Sequence, residues 1–481
     1  MNLAEYASYD ATGLARLVRD GEVTAGELQR LAVAGAEAVN PDLNAVIEIF
    51  EDRRGGIEAD AVPDGSFRGV PYFIKDLGCA EAGRTRESGS RLAAGFVARD
   101  DTETMRRVRD AGLVSLGRTT TPEFGATGTT ESVLTGATCN PWNTGHSSGG
   151  SSGGSSAIIA AGVVPMASGG DGGGSLRIPA SACGLVGLKP SRGRVTKAPG
   201  GSVLVSPLPI ELGMTRSVRD TAGLLDAMHG PAPGEAFVIA PPFRPYVQEV
   251  GAPTRTLRIG MSTQPWGPYA PDPQVVEAVQ KTGTLLESMG NKVEEASPAI
   301  SFESYFTTFA DLWCSAKPAM LGAVAAETGR PIDDTTVEPN VLAMYERGLG
   351  MSATDLILAL DRVNTISRQM AGFFDTYDVL MTPTIARPPA PLGTVDLNHA
   401  GEDMQAIMDR LMGYFCYTPL INMTGQPAIS LPLHWTADGL PVGVHFVARF
   451  GAEDLLLRLA GALEVAAPWR DRRPPVHVAS T

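Results

Sequence analysis

Ser175 lies in "GGDGGGSLRIPASACGLVGLKP" (residues 169–190), where five of the six preceding residues are glycine. Backbone N–H groups on such a turn can converge on an oxyanion, so the serine reads as a nucleophile for acyl transfer. A nucleophilic serine needs a base, and the nearest histidine in the chain is His146. A lysine serves instead when its ammonium is desolvated, and "VPYFIKD" places Lys75 at the end of an apolar strand. Becoming half neutral near pH 7 requires a depression of about 3 units from ~10.4, roughly 4 to 5 kcal/mol. The competing reading of Lys75 is a structural ion pair, with Asp76 the nearest partner. A second serine-rich turn, "GGSSGG" (149–154), holds Ser151.

Those residues depend on the elements that carry them. "TAGELQRLAVAGAEAV" predicts a helix with a Thr24/Glu27 capping box, preceded by the shorter helix "DATGLARLVRDG". "NAVIEIF", "GVPYFIKDL" and "LVSLGRT" predict buried strands, with the helix "DTETMRRVRDAG" before the third. "GHSSGGSSGGSS" (145–156) has linker composition, yet the apolar "AIIAAGVVPMAS" follows at once. Read as one buried helix, that segment anchors the loop inside the protein and lets the turns at 151 and 175 meet.

Beyond residue 216 the pattern continues as helix "SVRDTAGLLDAMHG", strand "TLRIGMS" and helix "DPQVVEAVQKTGTLLESMG", which Gly290 ends before "NKVEEA". Residues 302–375 read as helical and "YDVLMTP" as a strand. "PAISLPLHWTADGLPVGVHFVA" reads as a hairpin turning at Asp438-Gly439, and "AEDLLLRLAGALEVA" as a final helix. The proline-rich "RRPPVHVAST" reads as a loose end. Such alternation predicts an α/β fold, a large mixed, twisted β-sheet covered by helices on both faces, with a helical N-terminal segment. No repeat or long linker divides the 481 residues, so one domain over 1–481 is expected.

A formal net charge of -14 argues against a nucleic-acid groove or an anionic membrane surface. A small-molecule substrate is the expected partner. The five cysteines lack CxxC pairs, so neither a zinc site nor a disulfide framework is indicated, and no metal or other cofactor is expected. "MNLAEYASYD" lacks the basic start and apolar run of a signal peptide, and no apolar stretch suits a membrane span. A cytoplasmic location is expected.

"VPYFIKD", "GGSSGG" and "DGGGSLRIPASACGLVGLKPSRGRV", in that order and spacing, resemble the amidase signature family. "NMTGQPAISLP" and "DGLPVGV" resemble its later motifs, so the likeness spans nearly the whole chain. It implies a Ser-Ser-Lys triad of nucleophile Ser175, Ser151 held in a cis peptide after Gly150, and base Lys75. The N–H groups of Gly172, Gly173, Gly174 and Ser175 are the expected oxyanion donors. The family usually has threonine at the position of Gly170 and threonine or isoleucine at that of Gly172, so a roomier pocket is expected. Asp171 and Arg177 are expected to fix the turn, the alternative being a solvated ion pair. His445 is expected to be a strand histidine.

The wording of the motifs looks most like bacterial amidases of broad scope, including those that open cyclic amides of nylon oligomers. It implies hydrolysis of small aliphatic, aryl or cyclic amides through an acyl-enzyme, with esters or carbamates as further substrates. By analogy "TTTPEFGATGTT" (119–130) and the stretch around "FADLWCSAKPAM" shape the pocket, with Gly125 and Cys314 as lining candidates. The alternative for Cys314 is a small buried hydrophobe. A homodimer stays open. So do three other readings: the amidase subunit of a tRNA-dependent amidotransferase, a phosphate-binding module, and an α/β-hydrolase elbow. The elbow reading takes "GGSSG" as G-x-S-x-G, makes Ser151 the nucleophile and needs a histidine such as His399 or His445.

Overall fold

Alternation along the buried strands divides the apolar core between the two faces of a sheet, because successive side chains point to opposite sides. Val379 and Met381 join one hydrophobic cluster while Leu380 joins the other. The computed structural model describes residues 1–57, 61–204 and 206–480. Its strands that position the site are β1 (Val46–Ile49), β2 (Pro71–Lys75), β3 (Val114–Thr119), β4 (Met166–Asp171), β5 (Val186–Lys189), β6 (Ile210–Thr215), β7 (Arg258–Met261), β8 (Lys292–Glu295), β9 (Val379–Pro383), β10 (Ala428–Trp435) and β11 (Pro441–Ala448).

Among the described residues the main sheet has eight strands in the order β8-β7-β9-β11-β10-β5-β6-β4. It is mixed: β7 runs parallel to β8 and β9, and the remaining pairs are antiparallel. A smaller sheet, β1-β3-β2, abuts its β4 edge, where the Lys75 N–H donates to Ser168 Oγ at 2.6 Å. Helices cover both faces, as the sequence pattern predicts. Ala25–Leu43, Val218–Met228 and Glu453–Ala466 pack into one cluster, and Phe302–Ser315, Ala353–Phe373 and Met404–Phe415 into the other.

Local signals account for many element ends. Thr24 caps its helix by accepting from the Glu27 N–H at 3.1 Å, and the Glu27 carboxylate, paired with the Met1 amino group, also interacts with the Thr24 N–H. The helix Glu103–Asp110 stops before Gly112, whose φ of 85° is left-handed. Two expectations are corrected. "AIIAAGVVPMAS" is not one helix: the helix is Gly153–Ala160, starting inside the glycine-serine run, and β4 begins at Met166. The C-terminal segment is not loose either. His477 and Val478 are buried, and the N–H groups of Val476 and Val478 donate to the carbonyls of Pro141 and Ala161.

Candidate active site

Strand β4 ends at Asp171, and the chain turns through residues 172–175 into the helix Arg177–Cys183. Glycine is required at 174, where φ is 134° and a Cβ would lie 2.2 Å from Thr418 Oγ1. Asp171 holds the turn. Its carboxylate accepts from the N–H of Gly174 (2.7 Å) and Leu176 (3.2 Å), from Arg177 Nε and Nη2 (both 2.9 Å) and from Asn422 Nδ2 (2.9 Å). The ion pair is fully buried, which rules out the solvated reading. Burial opposes ionisation of Asp171, but Arg177, aided by Lys189 and Asn422, holds the carboxyl well below the usual range.

The Gly174 N–H is therefore occupied. Those of Gly172, Gly173 and Ser175 have no acceptor among the described residues. Breaking the pair in Asp171→Asn leaves a buried guanidinium uncompensated and is expected to cost about 3 to 5 kcal/mol of folding stability, read by urea unfolding. Because the folded-state pKa is depressed, this contribution is present above pH ~4 and lost as pH falls through the folded value. Equal stability of variant and parent at pH 7 would show that the pair is dispensable.

Lys75 ends β2 with its ammonium buried. Nζ lies 2.7 Å from Ser151 Oγ and 3.1 Å from Ser152 Oγ. The ion-pair reading fails, since Asp76 pairs with Arg118 at 2.8 Å and no carboxylate among the described residues forms a salt bridge with Lys75. Burial lowers its pKa to about 7, against the opposing influence of Asp171 and Glu211. Ser151 follows a cis Gly150–Ser151 peptide, in a loop packed so closely that a Cβ on Gly150 would lie 2.2 Å from the Thr129 carbonyl oxygen. The glycines here permit burial; they do not make a linker.

Ser175 faces a narrow cavity walled by Gly125, Gly173, Phe309, Trp313 and Phe415 among others. Its hydroxyl has no hydrogen-bond partner among the described residues, and none joins it to Ser151. Gly125 links the two serines in space: it lines the cavity, and a Cβ there would lie 3.0 Å from Ser151 Oγ. Cys314 does not line the cavity. Its side chain is buried within the helical cluster, with Sγ 3.9 Å from Met404 Sδ. Phe309 and Trp313, one turn apart on the same helix, face the cavity instead. That i, i+4 aromatic pair was the signal in the sequence that could have found them.

The two glycines expected to widen the pocket differ: at Gly170 a Cβ would meet nothing nearer than 3.7 Å, whereas the space at Gly172 is taken. Trp313 fills the space beside Gly172, where a Cβ would lie 3.3 Å from the indole. Ser152, Thr418 and Asn422 were also missed. Thr418 Oγ1 donates to the Gly173 carbonyl at 2.7 Å. Ser152 adjoins Ser151 and Asn422 opens the motif "NMTGQPAISLP", but no local pattern marks Thr418. His445 is the expected strand histidine: Nε2 accepts from Arg177 Nη1 at 3.1 Å, leaving Nδ1 toward Thr382 Oγ1. Burial holds it neutral, its pKa well below the ordinary value. Among the described residues, no histidine hydrogen-bonds Ser151 or Ser175, and no cluster of His, Cys, Asp or Glu suits a metal ion. No helix among them is long and apolar enough to cross a membrane.

A family model described as Amidase matches residues 27–457. The chain is 38% identical over 480 residues to a 6-aminohexanoate-cyclic-dimer hydrolase of Paenarthrobacter ureafaciens, covering 97% of this chain and 96% of the relative. An acylamidase of Rhodococcus erythropolis is 32% identical over 482 residues, covering 96% of each. A solved structure of 6-aminohexanoate cyclic dimer hydrolase superposes with a TM-score of 0.90 at 36% identity, covering 98% of this chain and 99% of that one.

Proposed function

The chain belongs to the amidase family and is a hydrolase of carbon–nitrogen bonds in small amides, and from that premise we propose that Ser175, Ser151 and Lys75 carry the reaction. The observation that supports this most is Lys75 Nζ at 2.7 Å from Ser151 Oγ, in a buried lysine with no salt-bridging carboxylate among the described residues. When substrate fills the cavity, the Ser175 hydroxyl comes within reach of Ser151, a contact that tightens only in the complex. Ser175 Oγ attacks the amide carbonyl carbon and passes its proton to Ser151, which passes its own to neutral Lys75. The free N–H groups of Gly172, Gly173 and Ser175 hold the tetrahedral oxyanion, each essential donor contributing about 3 to 4 kcal/mol.

Collapse breaks the C–N bond. The amine leaves with a proton returned through Ser151 from Lys75, and water then cleaves the acyl-enzyme by the same relay. The apolar, aromatic walls support an apolar acyl or amine group, and the named relatives support cyclic amides and N-acyl amines as substrates. Those relatives also favour a free-standing hydrolase over an amidotransferase subunit.

Purified chain, with no partner added, is expected to hydrolyse members of a panel of linear amides, anilides and cyclic amides. Failure on every member would overturn the free-standing reading. Ser151→Ala is expected to lose about 10²- to 10⁴-fold in amide turnover. It should lose less on a matched ester, because an alkoxide needs less proton assistance than an amine. Equal losses on both would make Ser151 structural only.

A further inference from the structure

The indole of Trp313 is held from three directions. Phe309 stacks against it with ring centroids 5.3 Å apart and planes at 28°. Its six-membered edge lies over Gly172, where a Cβ would approach Cζ3 to 3.3 Å. The Lys317 ammonium sits 4.7 Å from its ring centroid. Lys317 is buried and forms no hydrogen bond or salt bridge among the described residues; its ammonium meets the indole face, with Cys314 and Glu123 near enough to act on its charge. Burial makes the ammonium costly, and the negative face of the indole offsets part of that cost while tying the two side chains together.

A tryptophan so held beside the N–H groups of residues 172 and 173 is a rigid wall of the Ser175 cavity, not a mobile side chain. We propose that Trp313 determines the bulk of the group this enzyme accepts beside Ser175, admitting straight or flat groups and refusing branched ones, and that Lys317 is its positioning residue. This rests on Ser175 as the nucleophile. An enzyme in which the wall is removed gains room where Gly172 supplies no side chain. An enzyme in which the Lys317 clamp is removed keeps the indole but loses its fixed placement.

The test reads the ratio of kcat/KM for branched over straight members of two p-nitroanilide or anilide series, one varying the acyl group and one the amine. Trp313→Leu is expected to raise that ratio about tenfold or more in at least one series, the scale of discrimination by pocket volume. Lys317→Met should shift the same ratio in the same direction by about threefold, through KM more than kcat, and Lys317→Arg should restore it by replacing the cation over the ring. Gly172→Ala presses on the indole and should lower the ratio. Combined with Trp313→Leu it should no longer do so, a non-additivity expected only if the two residues touch.

If Trp313→Leu does not fold, Lys317→Met and Gly172→Ala still decide, because both retain the indole. Ratios unmoved in both variants and both series would overturn the proposal. Absence of all hydrolysis by the parent enzyme would instead overturn the assignment of the site.

Discussion

Ser175→Ala should abolish amide hydrolysis, by at least about 10⁴-fold in kcat, while its urea midpoint stays with that of the parent. The loss is large because the hydroxyl forms the covalent bond, and members of a nucleophile-base unit fail together when one is removed. Stability is spared because the turn is held by Asp171, Arg177, Asn422 and Thr418, none of which contacts the Ser175 hydroxyl. The deleted oxygen faces a cavity and leaves no buried partner unsatisfied. A fluorophosphonate probe should label the parent on the peptide carrying Ser175. Labelling on Ser151, with Ser175→Ala still active, would transfer the nucleophile to Ser151.

Lys75 should impose a rising pH profile. Its pKa is lowered to about 7, mainly by burial. A base must be neutral to accept the first proton, so kcat/KM should climb through that value and level off on the alkaline side. Lys75→Arg should be inactive at every accessible pH, because guanidinium stays protonated. Near-parental amidase activity in that variant would refute the lysine mechanism.

Lys75→Met should also be inactive, yet more stable at neutral pH. The folded-state pKa lies below the unfolded value near 10.4, so the folded state binds fewer protons. The resulting penalty is absent above pH ~10.4, grows as pH falls and is fully developed below about 7. Methionine removes it while keeping most of the apolar stem. A gain of about 1 to 3 kcal/mol is expected at pH 7 after the lost Ser151 and Ser152 contacts are counted. A gain of equal size at pH 11 would show that burial of the charge is not its source.

Composition and local pattern determined the parts of this protein in which a residue's own neighbours dictate its state. An apolar strand ending in a lysine buries that lysine, and the depressed pKa follows from desolvation whatever the partner. A glycine run before a serine announces a turn with bare N–H groups, and strand-helix alternation announces a sheet covered on both faces. Tertiary structure decided what depends on residues far away in the chain. Asn422 reaches Asp171 across 251 positions and Thr418 reaches Gly173 across 245, and these ties fix the turn that Asp171 also holds locally through the Gly174 N–H. The same limit explains Cys314 and Trp313. Helical period tells which residues share a face, but the packing of the helix decides which face meets the cavity. It explains the C-terminal segment too, whose prolines forbid helix and whose burial comes from a groove made by residues near 141 and 161.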